Sequence, residues 1–190
     1  MTVRASMMIS GVGVVLCLAA GTTQAVARAD VSGPLTKLVD DATQRLQTAD
    51  PVAASKYVTG GAVDDPAREQ QVLDSVTGAA VAKHVDAGFV HDVFRDQIDA
   101  TDSLEHSRFA AWKIDPGSAP KAAPDLSSSR DTIDKLNEAM VEDIADQWNT
   151  LHASTCRTDL DDATSAVVTM RHLDALYQQA LNYALHRYCR

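Results

Sequence analysis

The sequence predicts an all-α protein, built as a single helical domain of about six helices. Apolar residues recur at spacings of three and four along most of the chain, and no segment alternates with period two for long. Aspartates, three of them followed by proline, punctuate these runs where helices would start or stop.

Each element follows from its own stretch. Leu35, Leu38, Val39, Ala42 and Leu46 form the first stripe, with Ser32 and Pro34 as start signals. Asp50-Pro51 is expected to stop that helix or bend it sharply, and a short helical piece then carries Ala53, Lys56 and Tyr57 up to the Gly60-Gly61 break. Asp65-Pro66 is an N-cap followed by a first-turn proline, opening a helix with Arg68, Glu69, Leu73 and Val76. Asp86 begins a longer helix carrying Val90, Phe94, Ile98, Thr101, Glu105 and Trp112. The stretch from Asp115-Pro116-Gly117 to Pro124 is a proline-rich connection. Asp125 to Ser129 caps a helix with Ile133, Leu136, Met140, Ile144 and Trp148 inside, and Thr158 to Tyr188 reads as one last helix with Val167, Met170, Leu173, Leu176, Leu181 and Leu185.

The first residues are expected to be an address rather than fold. A basic start (Met1 to Arg4), an uncharged apolar run (Met7 to Ala20) and the small-residue site Ala27-Arg28-Ala29 make a secretory signal over residues 1–29. The run is shorter than a membrane span. Removing 29 of the 190 residues leaves a domain over 30–190, one ordinary core. The 17 basic residues lose Arg4 and Arg28, leaving 15 against 26 acidic and a net charge of −11. That balance argues against nucleic acid and against an anionic membrane surface as partners. Cys17 leaves with the signal, and Cys156 and Cys189 would meet an oxidising compartment, where a disulfide is the default. The loop it closes is worth on the order of 3 kcal/mol.

The chain lacks a Gly-rich phosphate loop, HExxH, GxSxG and CxxC. Its six histidines are scattered with no pair at i, i+4, so no metal site is expected. What remains is a set of charged residues in awkward places. Arg45 borders the first apolar stripe, and Lys56 follows Val52 by one turn. Arg68 sits in a first helical turn, where the dipole makes a cation mildly unfavourable. Glu105 falls on an inward face, and Arg130 lies near a helix start. Singly, each is explained as a solvated side chain. Gathered in a helical core, three guanidinium groups and an ammonium would hold a small polyanion, arginine being suited to bidentate carboxylate binding.

These residues, in this order and spacing, resemble the AroQ-type chorismate mutases, specifically their secreted (gamma) branch. The resemblance runs from about Pro34 to Cys189. It is carried by Arg45-Leu46 and Ala49 to Ala54 with Lys56; by Asp65, Arg68 and Glu69; and by Phe94, Asp96 to Ile98, Ala100, Thr101, Glu105 and Ser107 to Phe109. Pro124 to Ser127 with Ser129-Arg130, Arg171 to Asp174, Leu176 to Gln178 and Tyr188-Cys189 complete it. The resemblance implies conversion of chorismate to prephenate by an intramolecular rearrangement, with no metal and no cofactor, in a homodimer whose chains each complete their own site. Arg45, Arg68 and Arg130 would bind the substrate carboxylates, assisted by Thr101. Lys56 and Glu105 would contact the ether oxygen, and Asp65 and Glu69 would orient the ring and its hydroxyl. Cys156 and Cys189 would form the branch's disulfide. The chain departs from the branch at two positions: an apolar residue often stands where this chain has Glu69, and a glutamine where it has Val72. The departures bear on the hydroxyl contacts and leave the dianion-binding set intact. From the residues alone, a non-catalytic helical protein, or a carrier for an anionic metabolite, fits the same cluster.

Overall fold

The computed structural model describes residues 33–190; the expected signal segment, Cys17 and Ser32 lie outside them. Among the described residues there are eight α-helices, a 3₁₀ turn at Pro116–Ser118 and no strand. None of these helices is long and apolar enough to cross a membrane.

Helix α1 (Thr36–Gln47) is the central element, packed on α4, α5, α7 and α8. Its stripe of Leu38, Val39, Ala42 and Leu46 is buried, as is Leu35, which stands at the N-cap position. A Leu truncated to Ala in such a stripe costs about 2–5 kcal/mol. The break after α1 falls at Thr48, slightly ahead of the expected Asp50-Pro51. Pro51 causes it nonetheless, because it has no N–H to give the carbonyl one turn earlier. Thr48 turns back instead, its N–H (3.1 Å) and hydroxyl (2.6 Å) both donating to the Arg45 carbonyl. Helix α2 (Ala49–Thr59) then ends on Gly60, whose φ of 75° is the left-handed conformation that glycine adopts freely.

Three of the aspartate caps stand as read. Asp65, Asp86 and Asp125 accept from the backbone N–H of Arg68 (3.2 Å), Phe89 (2.6 Å) and Ser127 (3.0 Å). They open α3 (Pro66–Ala82), α4 (Ala87–Ile114) and α5 (Leu126–Asp146). At 28 residues, α4 runs about 42 Å and packs on α2, α3 and α8, forming the wall against which the site is built.

The C-terminal third differs from the sequence expectation in two places. Trp148 is not inside α5 but opens a four-residue helix, α6 (Trp148–Leu151). The single helix expected over Thr158–Tyr188 is two: α7 (Cys156–Arg171) and α8 (Ala175–Ala184). His172 adopts φ 52°, and the Leu173 N–H returns to the Val168 carbonyl (3.1 Å), a Schellman-type ending. Asp174 then caps α8 through the Tyr177 N–H (2.8 Å). Met170, expected inside, is more than half exposed. The Cys156–Cys189 disulfide ties the end of the chain to the start of α7. Beside it Tyr188 is fully buried, and Arg187 and Arg190 pair with Asp96 and Asp92 on α4.

Candidate active site

Helices α1 to α5 leave one cavity between them, and every charged residue singled out in the sequence lines it: Arg45, Lys56, Asp65, Arg68, Glu69, Glu105 and Arg130, with Thr101 beside them. Arg45 is deeply buried. It projects from the buried stripe of α1, 4 % exposed, with its Nε donating to Asn137 Oδ1 (2.7 Å) on α5 and Nη1 to Thr101 Oγ1 (3.4 Å) on α4. The Phe94 ring lies 5.8 Å below its guanidinium, within cation–π range. Burial pushes its pKa down to about 10, so it stays cationic in neutral solution. Thr101 donates to the Gln97 carbonyl (2.7 Å), which leaves its oxygen lone pairs for Arg45.

Lys56 and Glu105 face each other across α2 and α4. Lys56 Nζ donates to Glu105 Oε2 (2.9 Å) and to the Val63 carbonyl (2.6 Å). The glycine ending of α2 makes the second bond available: Gly61 N–H returns to the Lys56 carbonyl (2.8 Å), and the chain doubles back to bring Val63 over the ammonium. Burial raises the Glu105 pKa, Lys56 opposes the rise, and burial prevails, leaving it at about 7. Around neutrality this carboxyl therefore exists both as donor and as acceptor.

Arg68 and Arg130 close the outer side, each held by a carboxylate. Arg68 Nη2 reaches Asp134 Oδ1 (2.5 Å) and its Nη1 reaches Gln71 (2.9 Å), while Arg130 Nη2 reaches Asp65 Oδ2 (3.1 Å). Asp65 thus serves as helix cap and as anchor for Arg130. Glu69 pairs with Arg95 on α4 (3.0 Å). Val72, the position where the branch often has glutamine, is a buried apolar part of the wall, together with Val52, Ile98 and the half-buried Ile133.

Sequence reasoning overlooked two polar residues here. Asn137 carries the shortest contact to Arg45, and it falls at helical spacing with Ile133, Met140, Val141 and Ile144; a polar residue on a core-facing stripe was the available signal. Asp102 lines the cavity one turn before Glu105, and burial raises its pKa to about 6. It sits beside Thr101, at the edge of the inward face of α4, where spacing alone does not say which way a side chain turns.

The fold and site define an all-helical protein whose cavity gathers three arginines and a lysine among four acidic residues. Residues 36–106 match the family model for chorismate mutase type II. The chain is 59 % identical over 177 residues to a protein of Mycolicibacterium smegmatis named secreted chorismate mutase, covering 93 % of this chain and 98 % of that one. It is 44 % identical over 178 residues to a Mycobacterium tuberculosis protein of the same name, covering 94 % and 89 %. The crystal structure of chorismate mutase from Burkholderia thailandensis superposes with a TM-score of 0.77 at 31 % identity, over 83 % of this chain and all of that one. The Burkholderia phymatum enzyme gives 0.77 at 28 %, over 83 % and 96 %. The chain belongs to the chorismate mutase family, and its activity is that of an isomerase.

Proposed function

We propose that this chain is an exported chorismate mutase that converts chorismate to prephenate by a concerted [3,3] rearrangement, with no covalent intermediate and no cofactor. The observation that carries this is the convergence of Arg45, Arg68 and Arg130 with the Lys56–Glu105 pair on one cavity. The reaction breaks one C–O bond and forms one C–C bond within a single molecule, so it calls for no nucleophile. It needs the flexible dianion held in its compact conformer, which is an orientation problem. It also needs negative charge stabilised on the ether oxygen as the C–O bond lengthens, which is a preorganisation problem.

The three arginines take the first task, binding the two carboxylates, with Thr101 beside Arg45. Arg68 and Arg130 are already aimed by Asp134 and Asp65, so exchanging those carboxylates for the substrate's requires little reorganisation. Lys56 and protonated Glu105 take the second task, both donating to the ether oxygen. An ionised Glu105 would repel the developing charge, and its pKa near 7 supports the donor form being well populated. Asp65 and Glu69 orient the ring and its hydroxyl.

Export is supported by the names of the two mycobacterial relatives and by the order of features in residues 1–29, with residues 30–190 as the mature domain. The expected assembly is the homodimer that the resemblance to the secreted branch implies, with self-sufficient subunits because Arg45, Lys56, Arg68, Glu105 and Arg130 of a single chain converge on one cavity; light scattering on the purified protein tests it. For the activity, purified disulfide-bonded protein is mixed with chorismate and the loss of its absorbance followed. We expect turnover, and a loss of roughly a hundredfold or more in kcat/KM for Arg130→Ala, the scale of losing a charged contact to the transition state. Folded protein that leaves chorismate unchanged overturns the proposal in favour of a binding protein.

A further inference from the structure

A cavity built to bind a dianion should exclude unpaired carboxylates, and this one contains Asp102. Lys56 holds Glu105 and Arg95 holds Glu69, whereas Asp102 has no ion-pair partner among the described residues. It lies on the same wall as Glu105, three residues earlier on α4, so the two carboxyls sit one helical turn apart over one cavity. In that place an anion repels the substrate, and its side chain is only partly buried.

We propose that Asp102 is a positioning residue for the proton on Glu105: its ionised carboxylate keeps Glu105 in the hydrogen-bond donor form in neutral solution, at some expense in affinity for the dianion. This rests on the reading of Glu105 as donor to the ether oxygen.

The charges around the pair are consistent with it. Glu105 faces Lys56 on α2, which favours its ionised form, and His106 on α4, which does the same when charged; Asp102 is the anion that opposes them. Burial opposes the ionisation of Asp102 most strongly, the charges of Glu69 on α3 and Asp64 in the preceding loop oppose it further, and those of Lys56 and Arg95 favour it. Arg45, Arg68 and Arg130 complete the cavity rim. With Asp102 at about 6 and Glu105 at about 7, Asp102 gives up its proton first as pH rises. Between the two ionisations the pair carries one negative charge, which resides mostly on Asp102, while Lys56 holds Glu105 through its hydrogen bond.

The test is the pH dependence of kcat and kcat/KM for wild type, Asp102→Asn, Asp102→Glu, Glu105→Gln and the Asp102→Asn/Glu105→Gln pair, each checked for helical content. In Asp102→Asn we expect the alkaline midpoint to move acidward by roughly one pH unit, the size of a like charge one turn away. Its KM above that of Asp102 ionisation should fall severalfold, because a repulsive charge is gone. Asp102→Glu should return the midpoint toward wild type, which a packing role would not produce. In the Glu105→Gln background, Asp102→Asn should no longer move any midpoint. An unmoved midpoint in folded Asp102→Asn, with Glu105→Gln flat, overturns this proposal alone. A Glu105→Gln enzyme that keeps the wild-type inflection overturns the donor reading of Glu105 itself.

Discussion

Substituting Glu105 by glutamine isolates the question of what its carboxyl does. Glutamine keeps the length and a donor while removing the titration. In wild type, burial holds the Glu105 pKa at about 7 against the pull of Lys56. If only the protonated form donates to the ether oxygen, roughly half the enzyme is competent at about pH 7 and only ~1 % at about pH 9. Between about pH 5 and about pH 9, kcat/KM should therefore fall by about a hundredfold. In Glu105→Gln the amide N–H replaces the O–H, and the profile should be flat over the same range, crossing above wild type on the alkaline side. The assay is initial-rate loss of chorismate absorbance at each pH, with helical content recorded alongside. A wild-type profile that stays level to about pH 9 refutes the reasoning. The same group bears on stability. Its folded pKa lies above the ordinary 4.5, so its contribution is fully present below about pH 4.5 and is lost as pH rises through about 7, amounting to up to ~3 kcal/mol. Glu105→Gln should accordingly lose less stability than wild type across that window.

Two further predictions follow from neighbours of the site. Asn137→Ala removes the acceptor of the 2.7 Å bond from Arg45 Nε and leaves a buried guanidinium donor unpaired; at about 2 kcal/mol for a charged hydrogen bond, KM should rise roughly thirtyfold with less change in kcat, and unchanged steady-state kinetics would refute it. Replacing Cys156 and Cys189 together by serine opens a loop of 33 residues' separation and should cost ~3–4 kcal/mol in denaturant unfolding while the folded fraction keeps its kcat; an unshifted midpoint would show that the contacts of Tyr188, Arg187 and Arg190 hold the chain end without it.

Much of this architecture was readable because it is locally encoded. Asp65-Pro66, Asp86 and Asp125 combine a capping side chain with the start of an apolar run, and each opens a helix where expected. The paired glycines after Tyr57 likewise end α2. The break at His172 was not read, because histidine enters the left-handed region more often than most residues but marks it far less sharply than glycine. Trp148 was misplaced for a similar reason: α5 ends at Gln147 with neither proline nor glycine to mark it. In the site, the charged set stood out by being costly to bury, which is why Arg45 and Glu105 could be singled out. Asn137 and Asp102 escaped because their importance lies in what they face across the cavity, and a linear spacing carries no information about the opposite wall.

The walls of the cavity come from five helices of one chain, and that has a consequence for an exported enzyme. A site shared across a subunit interface disappears by mass action once the protein is diluted below its dissociation constant. Here every group that would grip the dianion travels with a single polypeptide. Specific activity should therefore be independent of enzyme concentration, and assembly is left free to serve longevity rather than turnover.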